Sequence, residues 1–244
     1  MLDPAATLAV LAEGDIEVVG RIVGSSNNAL LVTLTRICPD PEPPVVIDAI
    51  YKPTIGERPL DDFPDGTLCR REVAAWHVSE ATGWGIVPPT ILRDGPFGEG
   101  MVQGYVEADA DVDVVEMVLG DDPRLRRMAT LDAAMNNTDR KGGHILPVDG
   151  GAQIHGVDHG VCFSTVPKLR TVLWGWRGEA FEPDERHGLE RIHDGLDGDL
   201  GAQLRDLLSA AEVRATQRRV ASLLTDGVFP QPSPNWPAIP WPPF

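Results

Sequence analysis

Two early stretches of the chain, Ile16-Glu-Val-Val-Gly-Arg-Ile-Val and Ala29-Leu-Leu-Val-Thr-Leu, are rich in β-branched and apolar residues with polar ones interspersed. Such runs read as strands. The small polar residues Gly24-Ser-Ser-Asn-Asn between them read as a hairpin turn. A third run, Val45-Val-Ile-Asp-Ala-Ile-Tyr-Lys, follows the proline-rich break at 39–44, so an antiparallel sheet is predicted. A short apolar helix over 5–12 precedes these strands and ends near Gly14. The segment 68–82 carries Val73, Ala74, Trp76 and Val78 in a helical context, and Gly83 suits its C-terminal stop. Val87-Pro-Pro-Thr-Ile-Leu and Gly100-Met-Val-Gln-Gly-Tyr-Val predict two more strands joined by a turn at 94–98.

Near residue 120 the pattern changes. Pro123, Leu125, Met128, Ala129 and Ala133 mark a helix that runs up to a loop at Asn136, and two short strands are expected within 150–163. Helices are expected over 185–194, 200–211 and 213–224. The fold class predicted is therefore α+β and bilobal: a sheet lobe over 1–106, a mainly helical lobe over 107–226 and a Pro/Trp-rich tail over 227–244. Proline removes donors and restricts its predecessor, so the tail should be extended. Its Phe229, Trp236, Trp241 and Phe244 either staple it to the protein's own surface or dock on a partner, with self-packing the expectation.

Composition narrows the function classes. With 244 residues, 42% hydrophobic and 24% charged, the chain can bury a substantial core. It has no apolar run of about eighteen residues, and Met1-Leu-Asp-Pro-Ala lacks the features of a secretory signal, so a cytoplasmic location is expected. Cys38, Cys69 and Cys162 follow no metal-ligand spacing and read as small apolar fillers in a reducing compartment. A formal net charge of -16 repels nucleic-acid phosphates and anionic lipid, so neither nucleic acid nor a stable membrane association is expected. The acidic run over 107–122 lacks the glycine turn of a calcium loop and reads as a solvated segment leading into a helix.

The most informative stretch is Asn136-Asn-Thr-Asp-Arg-Lys-Gly-Gly-His, followed by Asp158 in Val-Asp-His-Gly. Phosphoryl transfer needs one carboxylate to orient the attacking hydroxyl, another to hold the metal, and a cation on the nucleotide phosphates that is itself fixed by a carboxylate. The chain offers these in order: Lys52 at a strand end, Glu72 on the one strong helix of the sheet-rich half, Asp139 on a loop after a helix, and Asp158 in a strand-turn setting. Lys141 can reach the transferred phosphate, while Asn136 and Asn137 can cap the preceding helix.

These residues resemble the phosphatidylinositol 3- and 4-kinase superfamily, with the related HipA-type protein kinases and the actinobacterial kinase-like proteins near them. The motifs are Tyr51-Lys52-Pro53 at the strand end, Asn137-Thr138-Asp139-Arg140 at the catalytic loop and Asp158 as the metal aspartate. The resemblance spans about 24–163 and implies ATP as cofactor with Mg²⁺ or Mn²⁺. It implies a nucleotide set of Ser25, Ser26, Asn27, Lys52, Glu72 and Gln103, catalytic roles for Asp139 and Lys141, and metal binding at Asp158. Where the family carries a metal-binding Asn, this chain has His144, whose imidazole suits Mn²⁺ better than Mg²⁺. The acceptor expected is a protein, the chain itself included.

Two readings of other classes compete. Asp139, His144, His155, Asp158 and His159 could form a hydrolytic metal centre, which would leave Lys52 and Glu72 without a role. Alternatively, the fold could bind nucleotide without turnover and serve as a scaffold.

Overall fold

The structure is a computed structural model and describes residues 3–22, 28–39 and 42–244. Helix α1 (Pro4–Glu13) starts where Asp3 accepts a hydrogen bond from the Ala6 amide at 3.0 Å, and Pro4 in its first turn forfeits no needed donor. Strands β1 (Asp15–Arg21), β2 (Leu30–Arg36), β3 (Val45–Pro53), β4 (Thr90–Gly95) and β5 (Gly98–Gly104) form an antiparallel sheet in the order β1-β2-β3-β5-β4. The expected hairpin turn, with Ser25, Ser26 and Asn27, lies outside the described residues.

Register decides which side chains share a face of this sheet. Lys52 pairs with Met101 and Ile50 with Gln103, so all four project from one side. Ala49, Tyr51 and Val102 project from the other, where they pack with Val10 and Leu11 of α1. A shift of one residue in β3 would move Lys52 to the α1 side.

Helix α2 (Leu68–Thr82) lies on the Lys52 side, with Cys69 and Val73 packed on Met101. Its first amides have no intrahelical acceptors, and the Glu57 carboxylate takes two of them, Leu68 N at 3.0 Å and Cys69 N at 2.7 Å. Gly83 ends the helix with φ 68°, a conformation that favours glycine.

The helical part comprises α3 (Val114–Leu119), α4 (Pro123–Met135), α5 (Pro183–Leu196), α6 (Asp199–Leu207) and α7 (Ala210–Asp226). Leu125, Met128, Leu131 and Met135 recur along α4 at helical spacing and enter a core shared with Val78 of α2, Leu189 and Ile192 of α5, Leu204 of α6 and Val220 of α7. Burial stabilises by about 1.5–3 kcal/mol for each large side chain, which ties α2 to the helical part. Strands β6 (Ile145–Val148) and β7 (Gln153–Gly156) form a separate antiparallel pair.

Several expected boundaries move. Pro88 and Pro89 have no amide to donate, so β4 begins at Thr90 instead of at 87. The first of the two short strands starts at Ile145, before the 150–163 window. Helix α6 stops at Leu207 because Ser209 and Glu212 build a capping box that starts α7. A short helix, α3, forms inside the acidic run, capped by Asp113.

The tail packs on the protein's own surface. Phe229 is buried beside Phe181, with ring centroids 4.6 Å apart, and Lys168 lies 4.4 Å from the Trp236 ring. Trp241 stays 85% exposed. Among the described residues, no helix is long and apolar enough to cross a membrane.

Candidate active site

Three elements meet at Lys52. From β3, its Nζ donates to Glu72 Oε1 of α2 at 2.7 Å and to Asp158 Oδ1, just beyond β7, at 2.8 Å. The two acceptors differ in setting: the Glu72 side chain is 2% exposed and that of Asp158 is 40% exposed. The second oxygen of Glu72 accepts the His159 amide at 2.8 Å, so one buried carboxylate is shared by the lysine and by the residue after Asp158. Asp158 has φ 61°, a left-handed conformation an aspartate tolerates better than most residues. His144 Nε2 approaches its Oδ2 to 3.3 Å.

The loop after α4 is organised from beneath. Asn136 ends the helix at φ 54° and its side-chain amide donates to the carbonyls of Ser164 and Val166. The Asn137 amide group donates to Asp132 Oδ1 at 2.9 Å, and its own oxygen accepts the Asp139 backbone N–H at 3.0 Å. Arg140 is wholly buried and grips Asp132 through Nε and Nη2, each at 2.9 Å. Its Nη1 donates to the carbonyls of His144 and Val157, and Nη2 faces His159 Nε2. One guanidinium thus ties the Asp139 loop to the strand end that carries Asp158. With Arg140 turned inward, Asp139 is left pointing outward beside Lys141 Nζ at 3.0 Å, partly exposed.

The electrostatics follow from this arrangement. Burial disfavours the Lys52 ammonium, but Asp158 and Glu72 outweigh it and hold its pKa well above the ordinary value. Lys52 in turn holds Asp158 well below the usual carboxylate range. Burial lowers His144 despite Asp158 and keeps its imidazole neutral near pH 7. His159 is lowered further, by burial and by Arg140. Burial also pushes the Cys69 thiol, which donates to the Lys52 carbonyl, up to about 12.

A cation held between a fixed buried carboxylate and a wetter one is suited to polyanion binding. The solvated carboxylate can exchange its lysine partner for a metal ion, while the buried one keeps the lysine oriented.

Comparison with known proteins bears on kinship and fold. The chain is 41% identical to protein Rv2133c of Mycobacterium tuberculosis over 272 aligned residues, which cover 97% of this chain and 95% of that protein. It belongs to the Rv2133c family. No protein-family model matches it. Among solved structures, the fold is similar to that of hydra Fam20 solved with sugar, with a TM-score of 0.53, 11% identity and coverage of 93% of this chain and 89% of that one. It is equally similar to the Helicobacter pylori proinflammatory kinase CtkA, with a TM-score of 0.52, 13% identity and coverage of 88% and 93%. At such identities the likeness shows the fold alone, and that fold is kinase-like.

Of the residues singled out in the sequence, Lys52, Glu72, Asp158 and His144 come together, and Asp139 with Lys141 stands on the adjoining loop. Gln103 shares the sheet face of Lys52, yet its amide is turned to Thr90 Oγ1, to which it donates at 2.8 Å. The five residues considered for a hydrolytic metal centre do not converge on one point: His144 and Asp158 stay in contact, but His159 turns to Arg140, and His155 lines a cavity of about 940 Å³ that includes none of Lys52, Glu72, Asp139, His144 and Asp158. No group of three or more His, Cys, Asp or Glu side chains is placed to hold a metal among the described residues. Sequence reasoning missed Asp132, Arg140 and His159 as structural partners of the site, and Glu57 as the cap of α2. The Asn137-Thr-Asp-Arg motif contained the signal for Arg140, whose aspartate partner lies on the helix just before it.

Proposed function

We propose that this protein is an ATP-dependent phosphotransferase that delivers the γ-phosphoryl group of ATP to an alcohol hydroxyl. The observation that carries the reading is the ion cluster of Lys52, Glu72 and Asp158, drawn from strand, helix and loop of a kinase-like fold. Lys52 binds the α and β phosphates, and Glu72 orients it. Asp139 accepts the proton of the acceptor hydroxyl as its oxygen forms a bond to the γ-phosphorus, and ADP departs. Lys141 neutralises charge on the phosphoryl group in transit.

The donors present fit a divalent ion that arrives with the nucleotide. Such ions need only one or two protein ligands, the rest coming from phosphates and water. Asp158 Oδ2 and the neutral His144 Nε2, 3.3 Å apart, are two such donors at the wet edge of the cluster. Asp158 and His144 would hold Mg²⁺ or Mn²⁺ there, and the ion would supply positive charge against the phosphates. Kinship with the phosphatidylinositol 3- and 4-kinases and HipA-type kinases rests on the Tyr51-Lys-Pro and Asn137-Thr-Asp-Arg motifs. The acceptor is a protein, this chain included, since the net charge of -16 opposes docking on anionic bilayers.

The test is incubation of purified protein with γ-labelled ATP and Mg²⁺ or Mn²⁺, alone and with added protein acceptors. Label on protein that disappears in Asp139→Ala supports the reading. A wild type that binds ATP yet neither transfers nor hydrolyses it in either metal would establish the scaffold reading instead.

A further inference from the structure

The proline-rich tail does not simply coat the surface; it reaches the loop that carries Asp139. The backbone around 237–239 runs along the segment 168–174: Thr171 N and Trp174 Nε1 both donate to the Ala238 carbonyl, at 3.0 and 2.8 Å. Arg170 Nε adds a bond to the Pro237 carbonyl at 3.1 Å. The other side of that segment is bonded to the loop: Arg170 N to the Asn137 carbonyl at 2.9 Å, Arg140 N to the Arg170 carbonyl at 3.0 Å and Val172 N to the Arg140 carbonyl at 3.1 Å. Residues 170–172 therefore lie between the Asp139 loop and the tail.

A second contact is direct. The Gly142 amide, between Asp139 and His144, donates to the Pro243 carbonyl at 2.8 Å. The Phe244 ring rests on the Gly142 α-carbon: a Cβ there would stand 2.0 Å from Phe244 Cδ1 and 2.3 Å from Cε1. Gly142 does not occupy a left-handed conformation, so backbone geometry does not require glycine here. The aromatic ring does.

We infer that Pro243 and Phe244 hold the Asp139–His144 loop in place, which makes Phe244 a positioning residue for the phosphotransfer proposed above. The glycine pair Gly142-Gly143 between Asp139 and His144 has no side-chain packing of its own to set the distance between them. The tail supplies that restraint from outside. Alignment of a reacting group is sensitive to small displacements, with about 1 Å costing up to a hundredfold in rate.

Three variants of the full chain test this: Phe244→Ala, which removes the ring; Gly142→Ala, which expels it; and the double variant. Backbone hydrogen exchange of residues 139–144 should quicken in each, while that of α2 and α4 stays as in the wild type. The value of kcat should fall roughly tenfold, with a smaller change in the KM for ATP, since Lys52, Glu72 and Asp158 lie outside the loop. Because both single changes abolish one contact, the double variant should be no worse than either alone, and Phe244→Leu should recover part of the loss. Unchanged exchange at 139–144 in Phe244→Ala would overturn the inference, as would faster exchange with full kcat. Should the wild type prove unable to transfer phosphate, the phosphotransferase reading fails; the exchange comparison still decides whether the tail holds the loop.

Discussion

The Lys52 ammonium lies 2.8 Å from the Asp158 carboxylate, although 106 residues separate the two in the chain. The contact joins the five-stranded sheet to the loop just beyond β7, and the lysine's other partner, Glu72, belongs to α2, which packs on β4, β5 and the helices α4, α5 and α6. Lys52 has one acceptor buried and one open to solvent, and in the proposed reaction nucleotide and metal displace Asp158 from it while Glu72 stays. That division of labour yields a first expectation. Lys52→Ala and Glu72→Ala should each weaken ATP binding, and the double variant should lose less than the sum, with a coupling of about 0.5–3 kcal/mol. Glu72→Gln should retain the bond from the His159 amide and fold better than Glu72→Ala. Calorimetric titration with ATP gives the cycle, and strictly additive losses would dissolve the pair.

A second expectation concerns stability. Arg140 and Asp132 are both wholly buried and hydrogen-bonded bidentately, so removing one partner strands a charge in the interior. Arg140→Ala should cost about 3–5 kcal/mol. Joint replacement of Arg140 and Asp132 by apolar residues of similar volume should recover much of that stability, though it would release the Val157 carbonyl and loosen the approach to Asp158. Urea unfolding of the two variants distinguishes these outcomes; equal losses would mean that the charge pair is not what Arg140 contributes.

These two cases also show what was legible in the sequence. The order Lys52, Glu72, Asp139, Asp158 could be read because each residue has a local signature: a strand end, a strong helix, a loop after a helix, a glycine-flanked turn. The sheet order was not readable, since which strand lies beside β3 depends on the register of β5, set by packing from α1 and α2 on opposite faces. Arg140 was not recognised either. A charged residue beside a catalytic loop reads as solvated, and only the three-dimensional fold reveals Asp132 beneath it. Glu57 escaped for a related reason, as it caps a helix that begins eleven residues later, outside the usual capping window. The Phe244 contact with Gly142 has no local sequence signal at all.

Acid should reveal the buried histidines. His159 has its pKa pushed well below the ordinary 6.5 by burial and by Arg140, and burial lowers His77, His144 and His155 in the same direction. Between the lowered folded value and 6.5 the unfolded chain binds more protons, so stability is full above about pH 6.5 and declines as pH falls. Asp158, depressed by Lys52, has the same sign but acts only below the ordinary carboxylate range near 3.8. In the window from about pH 6.5 down to 4 the histidines act against one carboxyl, Glu80, which burial raises above 4.5 and which therefore contributes with the opposite sign. Unfolding free energy measured across that window should show a shallower slope in His159→Asn than in the wild type. An unaltered slope would mean that His159 is not buried neutral.

The last expectation concerns the metal proposed at Asp158 and His144. The Nε2 of His144 lies 3.3 Å from Asp158 Oδ2, and burial keeps the ring neutral, so in the tautomer protonated at Nδ1 its Nε2 lone pair is available to an ion at the carboxylate edge. Imidazole is a good ligand for Mn²⁺ and a poor one for Mg²⁺, which prefers oxygen. Initial rates of transfer should therefore be higher with Mn²⁺ than with Mg²⁺ in the wild type, and His144→Asn should move the preference toward Mg²⁺. Asp158→Ala should lose metal-dependent ATP binding, whereas Asp139→Ala should keep binding and lose transfer if, as proposed, Asp139 addresses the acceptor hydroxyl and not the ion. Rates in both metals for the four proteins make the assignment. If His144→Asn leaves the metal preference where it was, the imidazole is no ligand, and its contact with Asp158 serves only to hold that carboxylate in place.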